Sequence, residues 1–230
     1  MNLFLAEVLT KEGGYLGKEE SHHASRVLRM SAGHQLLTTL GKGTIYLSEI
    51  SEASKTQVSF KNIEVFKQED SPAYLHIAIA PTKSNDRFEF FLEKATEIGI
   101  SEITPIICQN SERKVYKTER GQKIVSSAAK QSIACHWPIL NEPLRLTDLE
   151  VTDPETHQFI AHCEKDDMPN ILKQLPSLTK VLMLIGPEGD FSQKEIEWAK
   201  ANGYNECSLG SKRLRTETAG LAVALGFGVR

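Results

Sequence analysis

The sequence predicts an α/β protein in which a small β-barrel precedes a largely parallel sheet with helices on both faces. Three observations carry that prediction. The first 70 residues read mostly as short strands of alternating polarity, whereas from Tyr74 onward apolar strands alternate with amphipathic helices in five βα units. Between the two patterns lies the polar, proline-ended stretch Lys67 to Pro72 (KQEDSP), which reads as a linker. Domains are therefore expected over 1–70 and 71–230.

In the first part, strands are predicted over Leu3 to Val8, Gln35 to Leu40, Thr44 to Ile50 and Thr56 to Val65, the last with Val58, Phe60, Ile63 and Val65 as its apolar positions. Gly41-Lys42-Gly43 supplies a hairpin turn. A short helix, Glu19 to Met30, interrupts them, with Val27 and Leu28 on its apolar side. The second part opens with the strand Tyr74 to Ala80. In the helix Asp86 to Ile98, Phe88, Phe91, Leu92, Ala95 and Ile98 keep the 3, 4 spacing, and Gly99 stops it. There follow strand Glu102 to Ile107, a helix within Thr118 to Ala134, strand Gln158 to His162 and a short helix near Asn170 to Leu175. Strand Val181 to Ile185, helix Gln193 to Asn202, strand Glu206 to Leu209 and a helix from Thr216 complete the order.

Composition excludes several classes. With 27 Lys+Arg against 30 Asp+Glu, 40% hydrophobic residues and a net charge of −3, the chain is neither disordered nor basic overall. The apolar tract Gly220 to Val229 is ten residues long, half of the roughly 20 that span a bilayer. The N-terminus lacks a basic head and reaches Glu7 early, so no secretory signal is read and a cytoplasmic location is expected. Cys108, Cys135, Cys163 and Cys207 are 27 to 44 residues apart, which suggests small buried hydrophobes rather than a disulfide framework. Adjacent pairs such as His162-Cys163 diverge in strands and helices, so no metal is expected.

Ligands of parallel sheets bind beyond the carboxyl ends of the strands, which directs attention to two loops. The first is Gly186 to Ser192 (GPEGDFS). Its glycines permit tight turns, and Ser192 with Glu195 forms a capping box for the next helix. An ordinary βα turn and a pocket for a polar ligand are both open readings. The second, Leu209 to Ala219 (LGSKRLRTETA), holds Lys212, Arg213 and Arg215, with Thr216 as an expected N-cap and Glu217 at the positive end of the helix dipole. A solvated basic loop and a rim for an anionic substrate both fit it. No Gly-x-Gly-x-x-Gly follows the first strand of the second part, and Gly-Lys-Ser/Thr and Gly-x-Ser-x-Gly do not occur.

The segments "LIGPEGDFSQKEI" and "LGSKRLRTETA" together resemble the C-terminal motif pair of the SPOUT-class RNA methyltransferases, specifically the RsmE family. Four further segments resemble that family in order: "HHASRVLRMSAGHQL", "PTKSNDRFEFFLEKATEIG", "SERKVYK" and "AAKQS". The resemblance covers nearly the whole chain. It implies a deep trefoil knot, a PUA-like barrel that binds RNA over 1–70, a SPOUT methyltransferase domain over 71–230, and a homodimer. The implied reaction is S-adenosylmethionine-dependent methylation of N3 of one uridine in 16S ribosomal RNA of the assembled small subunit.

Carried onto this chain, the resemblance implies a cofactor pocket formed by Leu184, Gly186, Glu188 and Gly189 with Leu209, Gly210, Leu214, Arg215 and Thr216. Three positions depart from the family pattern: Asp190 replaces a glycine, Lys212 a common proline, and Ala134 a usually basic residue. N3 of uracil is protonated at neutral pH, so either a base or cationic stabilisation of the uracil anion is required. Arg215 is the candidate for the charge and Glu217 for the base, although Glu217 equally suits a helix-dipole partner. RNA contacts are expected from Arg26 and Arg29 in the barrel, from Lys83 and Arg87, and from the stretch Arg113 to Lys130. That stretch includes Arg113, Lys114 and Lys117, and its six cations face one acid, Glu119. A non-catalytic RNA-binding protein and a small-molecule α/β enzyme are the alternatives.

Overall fold

The computed structural model describes residues 1–164 and 167–228. The chain divides into two units, Met1–Pro72 with Ala129–Trp137, and Ala73–Ala128 with Pro138–Arg230. A single cut near residue 70 therefore misses one segment. Residues 129–137 pack with the first unit: Trp137 N donates to Gly41 O at 3.0 Å, Gly43 N donates to Cys135 O at 2.9 Å, and Cys135 is buried beside Leu3, Leu37 and Ile45.

The first unit is a closed barrel. Its strands are β1 (Leu3–Leu9), β2 (Gly13–Leu16), β3 (Gln35–Thr39), β4 (Thr44–Ala53) and β5 (Val58–Gln68), in the order β1-β2-β5-β4-β3, with β1 and β3 parallel and closing the ring. Alternation fills the interior with Phe4, Leu16, Leu36, Ile50 and Phe60. The predicted β3–β4 turn is present, and both Gly41 (φ 68°) and Gly43 (φ 99°) occupy the left-handed region that favours glycine. The predicted helix is shorter and less regular: α1 (Lys18–His22) continues as a wider π-type turn, His23–Val27. Val27 and Leu28 are exposed rather than packed inward, and Arg26 and Arg29 are exposed beside them.

In the second unit, β6 (Tyr74–Ile79), α2 (Asn85–Ile98), β7 (Glu102–Ile107) and α3 (Thr118–Gln131) lead to the short strands β8 (Ile139–Leu140) and β9 (Leu144–Arg145). Then come β10 (His157–Ala161), β11 (Lys180–Ile185), α4 (Gln193–Ala201), β12 (Asn205–Cys207) and α5 (Thr216–Gly228). The helix expected near 170–175 is two single 3-10 turns, Ile171–Lys173 and Leu175–Ser177. The sheet runs β12-β10-β11-β6-β7-β8, with β9 also pairing to β7, and every pairing is parallel.

Alternation divides the core between the two faces of this sheet. Leu75, Ile77, Ile79, Val181, Met183 and Ile185 point to the side covered by α2 and α5, while Ala78, Leu182 and Leu184 point to the side that holds Phe191, Ile196 and Ala199. Gly99 closes α2 at φ 104°, donating to Ala95 O. Among the described residues, no helix is long and apolar enough to cross a membrane.

Candidate functional site

Because β12, β10 and β11 are adjacent and parallel, the loops that leave their carboxyl ends lie at one edge of the sheet. A cavity of about 300 Å³ opens there. Gly186, Pro187, Glu188 and Asp190 line it from the loop after β11, and Leu209, Gly210, Leu214, Arg215 and Thr216 from the loop after β12. Three of the expected residues do not reach it: Leu184 is buried in the sheet, Gly189 packs on Asn110, and Glu217 lies in the first turn of α5 at 8% exposure, outside the lining.

Sequence reasoning missed the third loop, which follows β10 and contributes His162 and Cys163. The pattern gave no reason to place β10 between β11 and β12. His162 has a fully buried side chain; its Nδ1 lies 3.2 Å from Glu164 N and its Nε2 3.2 Å from Glu206 Oε1, which hold the ring from both sides. Cys163 corrects the expectation of four buried thiols, since it is exposed while Cys108, Cys135 and Cys207 are buried. Burial and the neighbouring Asp190 carboxylate push its thiol up, with Arg213 opposing them, so Cys163 is not an activated nucleophile.

Hydrogen bonds join the loops. Thr216 Oγ1 donates to Gly186 O at 3.0 Å, so Thr216 ties α5 to the first loop instead of serving as the expected N-cap. The cap position is one residue earlier, at Arg215, whose O accepts from Ala219 N at 2.8 Å. Ser192 and Glu195 form the predicted capping box, and Glu195 Oε1 also accepts from Gln109 N at 2.7 Å. Gly186 is tightly packed, because a Cβ there would lie 3.1 Å from the Phe191 ring, which would have to give by a few tenths of an ångström. Glu188 Oε1 accepts from Lys83 N at 2.9 Å, while its Oε2 is buried without a hydrogen-bond partner.

Two cations expected on RNA also brace the fold. Arg113 Nε donates to Thr82 O at 3.0 Å and Nη2 to Lys83 O at 2.6 Å, which holds the loop that in turn holds Glu188. Lys114 Nζ donates to Cys108 O and Gln109 O at the end of β7. Counting charge overlooked these carbonyl partners. Lys130 pairs with Glu20, Arg120 with Glu89 and Lys83 with Glu112. Arg87 and Lys117 are exposed, and no ion pair is recorded for either among the described residues.

The cavity can therefore receive a molecule with apolar and polar parts. Leu209 and Leu214 supply the apolar surface, Glu188 Oε2 offers an unfilled acceptor, and Lys212, Arg213 and Arg215 gather positive charge along one side. Among the described residues, no three of His, Cys, Asp or Glu are grouped to hold a metal ion.

Comparison with known proteins agrees with this geometry. A family model described as an RNA methyltransferase domain matches residues 69–226, and one described as an RNA methyltransferase PUA domain matches 16–61. The chain is similar to ribosomal RNA small subunit methyltransferase E of Mesomycoplasma hyopneumoniae, 32% identical over 69% of this chain and 71% of that protein. A probable rRNA-methyltransferase from Porphyromonas gingivalis superimposes with a TM-score of 0.80 at 35% identity, over 97% of this chain and 95% of that one. The ribosomal RNA small subunit methyltransferase E of Neisseria gonorrhoeae, bound to S-adenosylmethionine, does so with a TM-score of 0.79 at 26% identity, over 97% and 95%.

Proposed function

We propose, from the premise that this chain belongs to the ribosomal RNA small subunit methyltransferase E family, that it methylates N3 of one uridine of 16S ribosomal RNA in the assembled small subunit. The enzyme is an S-adenosylmethionine-dependent rRNA methyltransferase. One observation carries the reading: the loops after β11 and β12 meet in a cavity whose wall includes the exposed Arg215.

S-adenosylmethionine fits the residues present. The unpartnered Glu188 Oε2 can accept from an ammonium or ribose hydroxyl, Leu209 and Leu214 can flank the adenine, and Gly210, at φ 126° with no heavy atom closer than 4.0 Å to its missing Cβ, leaves room for close approach. When bound, the cofactor supplies an electrophilic methyl group on a sulfonium. The chain supplies orientation, potentially worth about 7 to 11 kcal/mol of barrier, and charge. Arg215 stabilises the negative charge that develops on a uracil oxygen as N3 loses its proton. Glu217 lies outside the cavity lining, which favours the electrostatic reading, with water carrying the proton away.

RNA is contacted by the exposed Arg26 and Arg29 with Val27 and Leu28 of the barrel, and by Arg87 and Lys117 of the second unit. The C-terminal loops form the knotted crossing, and two copies associate through the exposed Phe90 of α2 and Leu225 of α5; light scattering should then give the mass of two chains, and a single-chain mass would remove the dimer. For the activity, mass spectrometry of 16S rRNA from a deletion strain should show loss of one N3-methyluridine. Purified enzyme should restore it on small subunits but not on protein-free 16S rRNA, and an Arg26→Glu/Arg29→Glu variant should not restore it. An unchanged methylation pattern in the deletion strain would reject the reading.

A further inference from the structure

Two carboxylates line the cavity, and they are used differently. Glu188 keeps one oxygen free, whereas both oxygens of Asp190 are occupied: Oδ1 accepts from Phe191 N at 2.8 Å and Oδ2 from Cys163 N at 2.9 Å. The second bond crosses from the loop after β11 to the loop after β10, two walls of the same cavity. Asp190 also has φ 60°, a left-handed conformation that glycine adopts without strain and aspartate only at a cost. The turn itself is held by other bonds. Asp190 N donates to Pro187 O at 2.9 Å, and Asn110 Nδ2 donates to Gly189 O at 3.2 Å and Asp190 O at 3.1 Å. Of the two bonds that the Asp190 carboxylate makes, the one from Phe191 N stays within the turn, and the one from Cys163 N is the one that reaches another loop.

We propose that Asp190 is a positioning residue that ties the Cys163 loop to the Gly186–Ser192 loop and thereby sets the affinity of the cavity for S-adenosylmethionine. The inference rests on the proposed reading of the cavity as the cofactor site. Each carboxylate oxygen of Asp190 already accepts a backbone N–H that holds a loop, so its effect is expected on binding and not on the chemical step.

Asp190→Gly tests this, since glycine accepts the φ value while the bonds from Cys163 N and Phe191 N to the carboxylate are both lost. Calorimetry should show S-adenosylmethionine affinity about tenfold weaker, with Tm within a few degrees of wild type. In steady-state assays the KM for the cofactor should rise while kcat and the KM for RNA hold. A second readout does not depend on activity: the pH-independent limiting rate at which N-ethylmaleimide alkylates Cys163, the one exposed thiol among the four, should be higher in cofactor-free Asp190→Gly than in cofactor-free wild type, a limit at which the electrostatic effect of the Asp190 carboxylate on the thiol no longer counts. Unchanged affinity with unchanged Cys163 alkylation would overturn the proposal, as would an affinity loss accompanied by a large fall in Tm, which marks a merely structural role. Should wild-type protein fail to bind S-adenosylmethionine, the cofactor reading falls and with it the effect on affinity, while the alkylation comparison still decides whether the tie exists.

Discussion

Arg215→Ala should lower the methylation rate by a factor of about 10²–10³, the cost of removing one preorganised donor from a developing oxyanion, while S-adenosylmethionine still binds. The backbone at this position is fixed from both sides. Arg215 O accepts the first hydrogen bond of α5 from Ala219 N, and the next residue, Thr216, donates to Gly186 O. Its guanidinium therefore leaves from a defined point on the cavity wall, and no ion pair to it is recorded among the described residues, so its charge is available to substrate. Arg215→Lys keeps a charge but loses the planar fork, and an intermediate rate is expected. Glu217→Gln is the matched control: a carboxyl group outside the lining should leave turnover within a few-fold of wild type. Single-turnover kinetics beside calorimetry separate these outcomes. Near-normal turnover by Arg215→Ala would remove the electrostatic role, and a steep loss in Glu217→Gln would return the proton transfer to Glu217.

Local patterns were legible because their causes are local. The 3, 4 spacing that predicts α2 places Phe88, Phe91, Leu92 and Ala95 in the core, Gly99 is left-handed where the stop was expected, and Ser192 and Glu195 make both bonds of a capping box. The small barrel and the parallel sheet follow from the same periodicities, whereas the PUA-like character of the barrel is what the motif resemblance implies. What could not be read depends on contacts between residues far apart in the chain. Nothing in the composition of residues 129–137 says that Trp137 bonds to Gly41 or that Cys135 is buried beside Leu37. Strand order is equally silent in sequence, so the β10 loop, with Cys163 and the bond its N–H donates to Asp190, was missed although both motif loops were found. Charge counting is silent for a related reason: that Arg113 and Lys114 also donate to backbone carbonyls depends on the fold.

The largest stability effect is expected at Gly220. A Cβ there would lie 2.5 Å from Phe91 Cε2, 2.9 Å from Phe91 Cδ2 and 3.0 Å from Ile79 Cδ1. Phe91 and Ile79 are both fully buried, and the Phe91 ring is packed against Phe88 with centroids 6.0 Å apart, so neither side chain has open space to enter. α5 thus rests on α2 and β6 at a distance that only glycine permits. Helix propensity favours Ala over Gly by about 1 kcal/mol, which offsets part of the overpacking in Gly220→Ala. In Gly220→Val the added branches dominate, at about 3 kcal/mol, or a Tm roughly 6–12 °C lower for a chain of this size. The displacement should also reach the site, because α5 carries Arg215 and Thr216 at its start, four to five residues away, and the Thr216 bond to Gly186 tolerates little movement. Cofactor affinity should therefore fall along with Tm. Phe91→Leu vacates the ring atoms that meet the new Cβ, so the pair Phe91→Leu/Gly220→Val should be non-additive, recovering about 1 kcal/mol or more against the sum of the single changes. Strict additivity, or a Gly220→Val protein that melts with wild type, would mean that α5 can shift outward without cost, and the close approach would then not be what holds Arg215 in place.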